Sequence, residues 1–174
     1  MVSLITTTGF ATDDYLQWLP WMMVLMFILM FFGGSAGSTG GGPKIMRIMI
    51  LLKNSTMELK RMIHPRGVIP VRLNKLAVEE RIVTNVLAFM AFYAVIAVIS
   101  TVIMSSFGND LDTSLGAVAA TLGNIGPGIG GVGPALNYAH FSPGAKWFLS
   151  FLMLVGRLEL FTVLVIFSPM FWRK

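Results

Sequence analysis

The chain has 174 residues, of which 55% are hydrophobic and 12% are charged, and its mean hydropathy is +0.76. This composition excludes an intrinsically disordered chain, and a soluble globule could not cover so much apolar surface, so we predict an integral membrane protein. The absence of cysteine excludes disulfide scaffolds and thiolate sites, and the wide separation of His64 and His140 argues against a zinc site.

The first predicted element is a short polar turn near the N-terminus. Apolar residues flank the small polar residues Thr6, Thr7, Thr8 and Gly9, in the pattern of a pore helix that ends in an extended return. Backbone carbonyls of such a return can replace the hydration shell of a potassium ion, and glycine permits the unusual dihedral angles required. An ordinary exposed turn before a helix fits the composition equally well.

A glycine-rich segment interrupts the first long apolar stretch, residues 16–52. The apolar parts on either side are each short of the roughly 20 residues that cross a bilayer, so we predict one helix broken at membrane depth. Non-helical backbone is tolerated there only inside protein or beside a water-filled cavity, and the alternative is a flexible linker in solvent. The interruption contains Gly33, Gly34, Gly37, Gly40, Gly41 and Gly42.

Positive charge accounts for the net charge of +5 and is concentrated in residues 53–81, which hold seven Lys or Arg against three Glu. Residues 107–144 contain two Asp and no Lys or Arg. Cytoplasmic loops are enriched in Lys and Arg, so we predict that residues 53–81 and the C-terminus form the cytoplasmic side, with three membrane crossings. Because this charge pattern is explained by topology, we expect no nucleic-acid partner.

The second half of the sequence predicts a helix, a pore loop and another helix. Residues 82–104 carry no charge and are long enough to span a bilayer. Residues 113–122 are apolar but too short to span, which favours a re-entrant half-helix. The residues that follow it, Gly123, Asn124, Ile125 and Gly126, cannot remain helical and repeat the N-terminal pattern, with Gly126 in the place of Gly9.

Arg157 lies about 12 residues into the third apolar stretch, residues 145–171, which is roughly 18 Å along a helix and near mid-membrane. A charge there costs about 2.5–3.5 kcal/mol, and Glu159, two residues further, lies on a different helix face. We therefore expect a tertiary partner for Arg157, such as the free carbonyls of residues 33–42 or an anion in the pore. A structural Arg–Glu pair between helices is the alternative.

Together these motifs resemble the potassium transporter superfamily that includes TrkH, KtrB and the plant HKT proteins, and the match looks closest to TrkH. The segments that carry the resemblance are TTTGFAT at 6–12, GGSAGSTGGG at 33–42, GNIGPG at 123–128 and GRLE at 156–159. The resemblance implies an all-α membrane fold of four helix–pore loop–helix repeats around one pore.

The resemblance also implies roles for these residues. Residues 6–9 would be the third filter segment and residues 123–126 the fourth, both binding K⁺ through carbonyls. Residues 33–42 would gate the pore, and Arg157 would face that loop. The family implies a homodimer in the bacterial cytoplasmic membrane that docks on a cytoplasmic nucleotide-binding subunit of the TrkA or KtrA type.

We therefore predict potassium uptake by a non-enzymatic transporter whose ion is K⁺ and which needs no organic cofactor. Residues 1–52 would end the third repeat, residues 53–81 would be a basic cytoplasmic loop, and residues 82–174 would form the fourth repeat. The chain would then be a fragment of the full transporter. The alternatives are a small non-conducting membrane scaffold and a membrane enzyme whose metal ligands would be Asp13, Asp14, Asp110 and Asp112.

Overall fold

The computed structural model describes residues 1–35, 37–38, 40–64, 70–73, 76–158, 162, 165 and 172. These residues are mostly helical, in agreement with the predicted all-α class, and the described strands form one two-stranded hairpin. In chain order the elements are α1 (Val2–Ile5), a 3-10 helix (Tyr15–Gln17), α2 (Pro20–Met30), α3 (Ile45–Ile63), β1 (Arg72–Leu73), β2 (Leu76–Ala77), α4 (Glu80–Ser106), α5 (Leu111–Leu122), a second 3-10 helix (Gly130–Val132) and α6 (Pro143–Arg157).

The predicted interruption of the first apolar stretch is present between α2 and α3. Its two ends are tied together, because the Gly33 amide donates to the Pro43 carbonyl (2.8 Å) and the Ile45 amide donates to the Gly34 carbonyl (3.1 Å). The two ends of residues 33–42, which we name the glycine loop, are therefore held close together between α2 and α3. Ala36 and Thr39, within this loop, lie outside the described residues.

Residues 53–81 differ from the predicted loop, since α3 continues to Ile63 and β1 and β2 form an antiparallel hairpin. The helix continues because residues 53–63 are rich in Leu, Met, Lys, Glu and Arg, which are good helix formers. The Lys53 ammonium donates to the Arg72 carbonyl (3.0 Å), which attaches the hairpin to α3. Arg66 and Lys75, two of the predicted basic residues, lie outside the described part of the chain.

Helix α4 covers the apolar segment predicted over residues 82–104. Within the described part of the chain, it is the one helix that is long and apolar enough to cross a membrane. Large apolar side chains are exposed along it, including Phe92, Val98 and Val102, as expected for a helix that contacts lipid.

Helix α5 lies at the centre of the fold, between α4 and α6. The small residues of α5 let α4 and α6 pack closely against it. Ala117, Val118 and Leu122 of α5 are almost completely buried. Helix α6 begins at Pro143, where the Ser142 hydroxyl accepts a hydrogen bond from the Ala145 amide (3.3 Å). Beyond residue 158, only residues 162, 165 and 172 are described, so Glu159 and the basic C-terminus lie outside the described residues.

Candidate functional site

Two turns, residues 6–9 after α1 (the first turn) and residues 123–126 after α5 (the second turn), share one backbone conformation. The helices end at Thr6 (φ −81°, ψ −2°) and Gly123 (φ −77°, ψ −12°). The next residues, Thr7 (φ 54°) and Asn124 (φ 53°), are the two non-glycine residues with positive φ in the described chain. Each turn then reaches a glycine with positive φ, at 79° for Gly9 and 110° for Gly126.

Backbone hydrogen bonds repeat in the same way. The first residue of each turn donates four residues back, from Thr6 to Val2 and from Gly123 to Ala119, at 2.9 Å in both cases. The third residue of each turn donates five residues back, as from Thr8 to Ser3 and from Ile125 to Ala120, again at 2.9 Å. The bond that spans five residues ends each helix. The carbonyls that follow it therefore have no partners within the helix.

The two turns lie side by side. A Cβ added to Gly9 would overlap the Ile125 carbonyl oxygen, and one added to Gly126 would lie 4.0 Å from the Gly9 Cα. Leu4, beside the first turn, and Ile125, in the second, belong to one buried cluster. The structure thus brings together two groups of predicted ion-binding residues that are far apart in the sequence.

The glycine loop contacts both turns. A Cβ on Gly40 would lie 2.9 Å from the Thr7 hydroxyl oxygen, whereas one on Gly41 would overlap the Gly123 carbonyl oxygen. By contrast, a Cβ on Gly37 would meet nothing within 4 Å. Gly40 and Gly41 therefore permit close contact between the loop and the two turns. The backbone at Gly37 has open space around it.

Lys44, which no motif in the sequence marks as part of the site, binds the glycine loop through its side chain. The half-buried Lys44 ammonium donates to the Ser38 carbonyl and to the Gly40 carbonyl, each at 2.6 Å. Lys44 is also the N-cap residue of α3, where a positive charge opposes the helix dipole. That unfavourable position was the signal in the sequence that the lysine binds something else.

Arg157 lies close to the glycine loop. It lines one cavity together with Ser38, Gly40, Gly42 and Lys44. The structure therefore places Arg157 beside the loop, and its role in gating stays a prediction. Gly33 and Gly34 lie at the base of the loop, where backbone bonds close it, and they do not line this cavity.

Hydrogen bonds to distant segments support the second turn, and no pattern in the sequence indicates them. The Asn124 amide nitrogen donates to the Met153 carbonyl of α6 (3.1 Å). The Tyr138 hydroxyl donates to the Gly126 carbonyl (2.6 Å), and the Tyr15 hydroxyl donates to the Gly128 carbonyl (2.7 Å). Because the Gly126 carbonyl already accepts one hydrogen bond, it has less capacity for an ion than the other carbonyls.

The four aspartates proposed as metal ligands in the enzyme alternative do not converge. Among the described residues, no group of three or more His, Asp or Glu side chains is arranged to hold a metal ion. Instead, Asp14 caps the first 3-10 helix by accepting from the Leu16 amide (3.1 Å), and Asp13 accepts from the Trp18 indole (3.1 Å). These two acids have local structural roles.

Comparisons with known proteins agree on one family. All of residues 1–174 match the family described as "TrkH: Cation transport protein". The Trk system potassium uptake protein TrkH of Salmonella typhimurium is 45% identical over the whole chain, and that of Halomonas elongata is 41% identical. The crystal structure of the potassium transporter TrkH from Vibrio parahaemolyticus superimposes with a TM-score of 0.90 at 42% identity and covers 99% of this chain.

The matched region is one part of each of these relatives. It amounts to 36% of the length of the Salmonella and Halomonas proteins and to 36% of the Vibrio structure. The chain thus spans about a third of the length of the relatives that it matches.

Proposed function

Because this chain belongs to the TrkH family of cation transport proteins, and is therefore a membrane protein, we propose that it conducts potassium ions into the cell through a pore lined by the two turns. One observation carries the proposal. Two turns of the same backbone conformation lie in contact, and one glycine loop touches both of them. A single ion could therefore be bound by both turns and released past one loop.

In this proposal the first and second turns are two segments of a selectivity filter. Potassium exchanges its water for carbonyl oxygens of Thr6, Thr7, Thr8 and Gly9 and of Gly123, Asn124, Ile125 and Gly126. The positive φ angles support this role, because alternation between right- and left-handed conformations turns successive carbonyls away from the helix axis. The Gly126 carbonyl, which is bonded to Tyr138, contributes least to ion binding.

The glycine loop and Arg157 act as the gate in this proposal. The loop lies against the turns, and Arg157 lines the cavity on that side, so a cation leaving the turns would approach a positive charge. Two unit charges 4 Å apart repel by about 4 kcal/mol at an effective dielectric constant of 20, which would slow ion passage greatly. Movement of the loop relative to Arg157 would change this barrier.

The proposed setting is a pore of helix–pore loop–helix repeats in the bacterial cytoplasmic membrane. Residues 1–52 and 82–174 supply the two turns, and the basic residues of 53–81 face the cytoplasm. The partner proposals are a second copy of the chain and a cytoplasmic nucleotide-binding subunit of the TrkA or KtrA type. In this proposal the exposed Arg72 and Arg81 on the basic side contact an acidic surface of that subunit.

The test uses the full natural protein that contains this sequence, expressed in bacteria that lack potassium uptake systems. Wild-type protein should restore growth at low K⁺ and should import ⁸⁶Rb⁺. Lys44→Met removes the hydrogen bonds from the ammonium to the loop, and Arg157→Ala removes one of the positive charges that line the cavity. Each change should therefore raise unregulated ⁸⁶Rb⁺ flux severalfold. Lys60→Met is the matched control, because it removes an exposed lysine that is distant in sequence from the loop.

The results distinguish a failure of the transport proposal from a failure of the gate proposal. If wild-type protein at normal membrane abundance imports no K⁺ or Rb⁺, the transport proposal is wrong. If wild-type protein transports but Lys44→Met and Arg157→Ala behave like Lys60→Met, the transport proposal stands and the gate is elsewhere.

A further inference from the structure

Two tyrosine hydroxyls hold the backbone that continues from the second turn. Tyr138 donates to the carbonyl of Gly126 (2.6 Å) and Tyr15 donates to the carbonyl of Gly128 (2.7 Å), so the two bonds lie on either side of Pro127. Both tyrosines come from outside the segment that they hold. Tyr15 follows the first turn in the chain and lies 113 positions before its acceptor.

Tyr15 connects the two turns physically. Its side chain is 5% exposed and packs in the same buried cluster as Leu4, beside the first turn, and Ile125, in the second. A shift of the second turn would therefore stretch the Tyr15 bond or disturb packing beside the first turn. The ring and the hydroxyl together fix the distance between the two turns.

The held segment contains two glycines in left-handed conformations. Gly126 (φ 110°) and Gly130 (φ 66°) adopt conformations that glycine enters and leaves at small cost. Bonds from outside the segment therefore help to keep its carbonyls in one position. Discrimination between K⁺ and Na⁺ depends on the number and placement of such carbonyls, since the two ions differ in radius by a fraction of an ångström.

Both hydroxyls remain protonated donors at neutral pH. Burial, and to a smaller extent the negative charge of Asp14, raises the pKa of Tyr15 to about 12. Burial and the neighbouring Tyr15 likewise raise the pKa of Tyr138 above its ordinary value. The two bonds are thus constant features of the site across the physiological pH range.

We infer that Tyr15 and Tyr138 are positioning residues that set the cation selectivity of the second turn, Tyr138 by fixing the Gly126 carbonyl and Tyr15 by fixing the spacing between the turns. This inference rests on the proposed ion-conducting function. A role in folding alone would predict a loss of protein without a change in selectivity.

The experiment compares Tyr→Phe changes, which remove one hydroxyl and keep the ring, in the full natural protein. The variants are Tyr138→Phe, Tyr15→Phe and the double change. Tyr93→Phe is the matched control, because the Tyr93 hydroxyl is also buried but has no hydrogen-bond partner among the described residues. The ratio of ⁸⁶Rb⁺ to ²²Na⁺ uptake is measured in cells at equal membrane abundance.

We expect Tyr138→Phe to lower the ratio about threefold to tenfold, the factor that corresponds to one net hydrogen bond. Tyr15→Phe should lower it less, because Gly128 lies beyond the turn, and Tyr93→Phe should leave it unchanged. The double variant should show the lowest ratio. Its protein should still import Rb⁺, since the carbonyls themselves remain.

Several results would overturn the inference while leaving potassium transport intact. One such result is that Tyr138→Phe and Tyr15→Phe both have the same ratio of Rb⁺ to Na⁺ uptake as the wild-type protein. Another is an equal fall in Tyr93→Phe, which would show a general response to losing a buried hydroxyl. If neither single variant accumulates in the membrane, the tyrosines serve folding and the inference is wrong. Failure of the proposed function is distinct, because wild-type protein would then import neither ion.

Discussion

The first and second turns have the same backbone but differ in what supports them. Around the first turn, hydroxyls act locally, since the Thr6 hydroxyl donates to the Val2 carbonyl (2.9 Å) and lies 2.8 Å from the Thr8 hydroxyl. The second turn relies on groups from elsewhere, including Tyr138 and the Met153 carbonyl. Thr6 and Thr8 are exposed, whereas Gly123 and Ile125 are buried.

This difference shows that one backbone conformation can be reached by two routes. A threonine-rich turn makes part of its own hydrogen bonding, so neighbours in sequence stabilise it. A turn without hydroxyls leaves its polar groups to the tertiary structure, because buried donors and acceptors need partners. Substitutions at residues distant in sequence should therefore destabilise the second turn more than they destabilise the first turn.

The largest expected effect comes from the contact between α6 and the second turn. In Gly156→Ala the new Cβ would overlap the Leu122 carbonyl oxygen and would lie 2.8 Å from the Asn124 amide nitrogen. Helix α6 would have to move away from α5, at a cost of about 1–3 kcal/mol for overpacking. Membrane abundance and the thermal midpoint in detergent should both fall. Gly144→Ala, whose nearest neighbour is the movable Phe107 ring at 3.3 Å, is the control. Equal stability of the two variants would contradict the close contact.

An effect of intermediate size is expected from replacing the glycine of each turn, Gly9 or Gly126, by alanine. Gly9→Ala combines a strained φ of 79° with overlap on the Ile125 carbonyl oxygen, whereas Gly126→Ala carries the strain of its φ but has open space to 4.0 Å. We therefore expect Gly9→Ala to reduce ⁸⁶Rb⁺ uptake more than Gly126→Ala. The measurement is initial uptake rate at equal membrane abundance. A greater loss in Gly126→Ala would mean that spacing between the turns does not decide the result.

The smallest expected effect compares the residues with φ near 50°. Thr7→Gly and Asn124→Gly both remove the conformational strain of a non-glycine residue at positive φ. Both also raise the conformational entropy of the unfolded chain to a similar extent. The second change also removes the hydrogen bond to the Met153 carbonyl, worth about 1 kcal/mol. Asn124→Gly should therefore melt at a lower temperature than Thr7→Gly. Equal thermal midpoints would show that the Asn124 bond adds nothing to stability.

Much of the fold could be predicted from the sequence. Composition indicated a membrane protein, and the family match confirms the resemblance drawn from the glycine-bearing motifs. The interruption between α2 and α3 and the short α5 were predicted from apolar lengths and glycine clusters, and both are present. Within the segment predicted as a cytoplasmic loop, residues 53–63 are helical, because they are rich in residues that favour a helix, and the cytoplasmic position of the segment stays a prediction. The ion-binding and gating roles stay predictions.

The class of protein and the positions at which helices stop can be derived from the sequence alone. Both follow from local chemistry: the apolar content of a stretch, and the ability of glycine to leave a helix. Three features depend on how the chain packs: the contact between the two turns, the binding of the glycine loop by Lys44, and the hydrogen bonds from Tyr15 and Tyr138 to the backbone of the second turn and the residues after it. The physical reason is that a free carbonyl accepts from whichever donor packing brings near, and for Gly128 that donor lies 113 positions away in the chain.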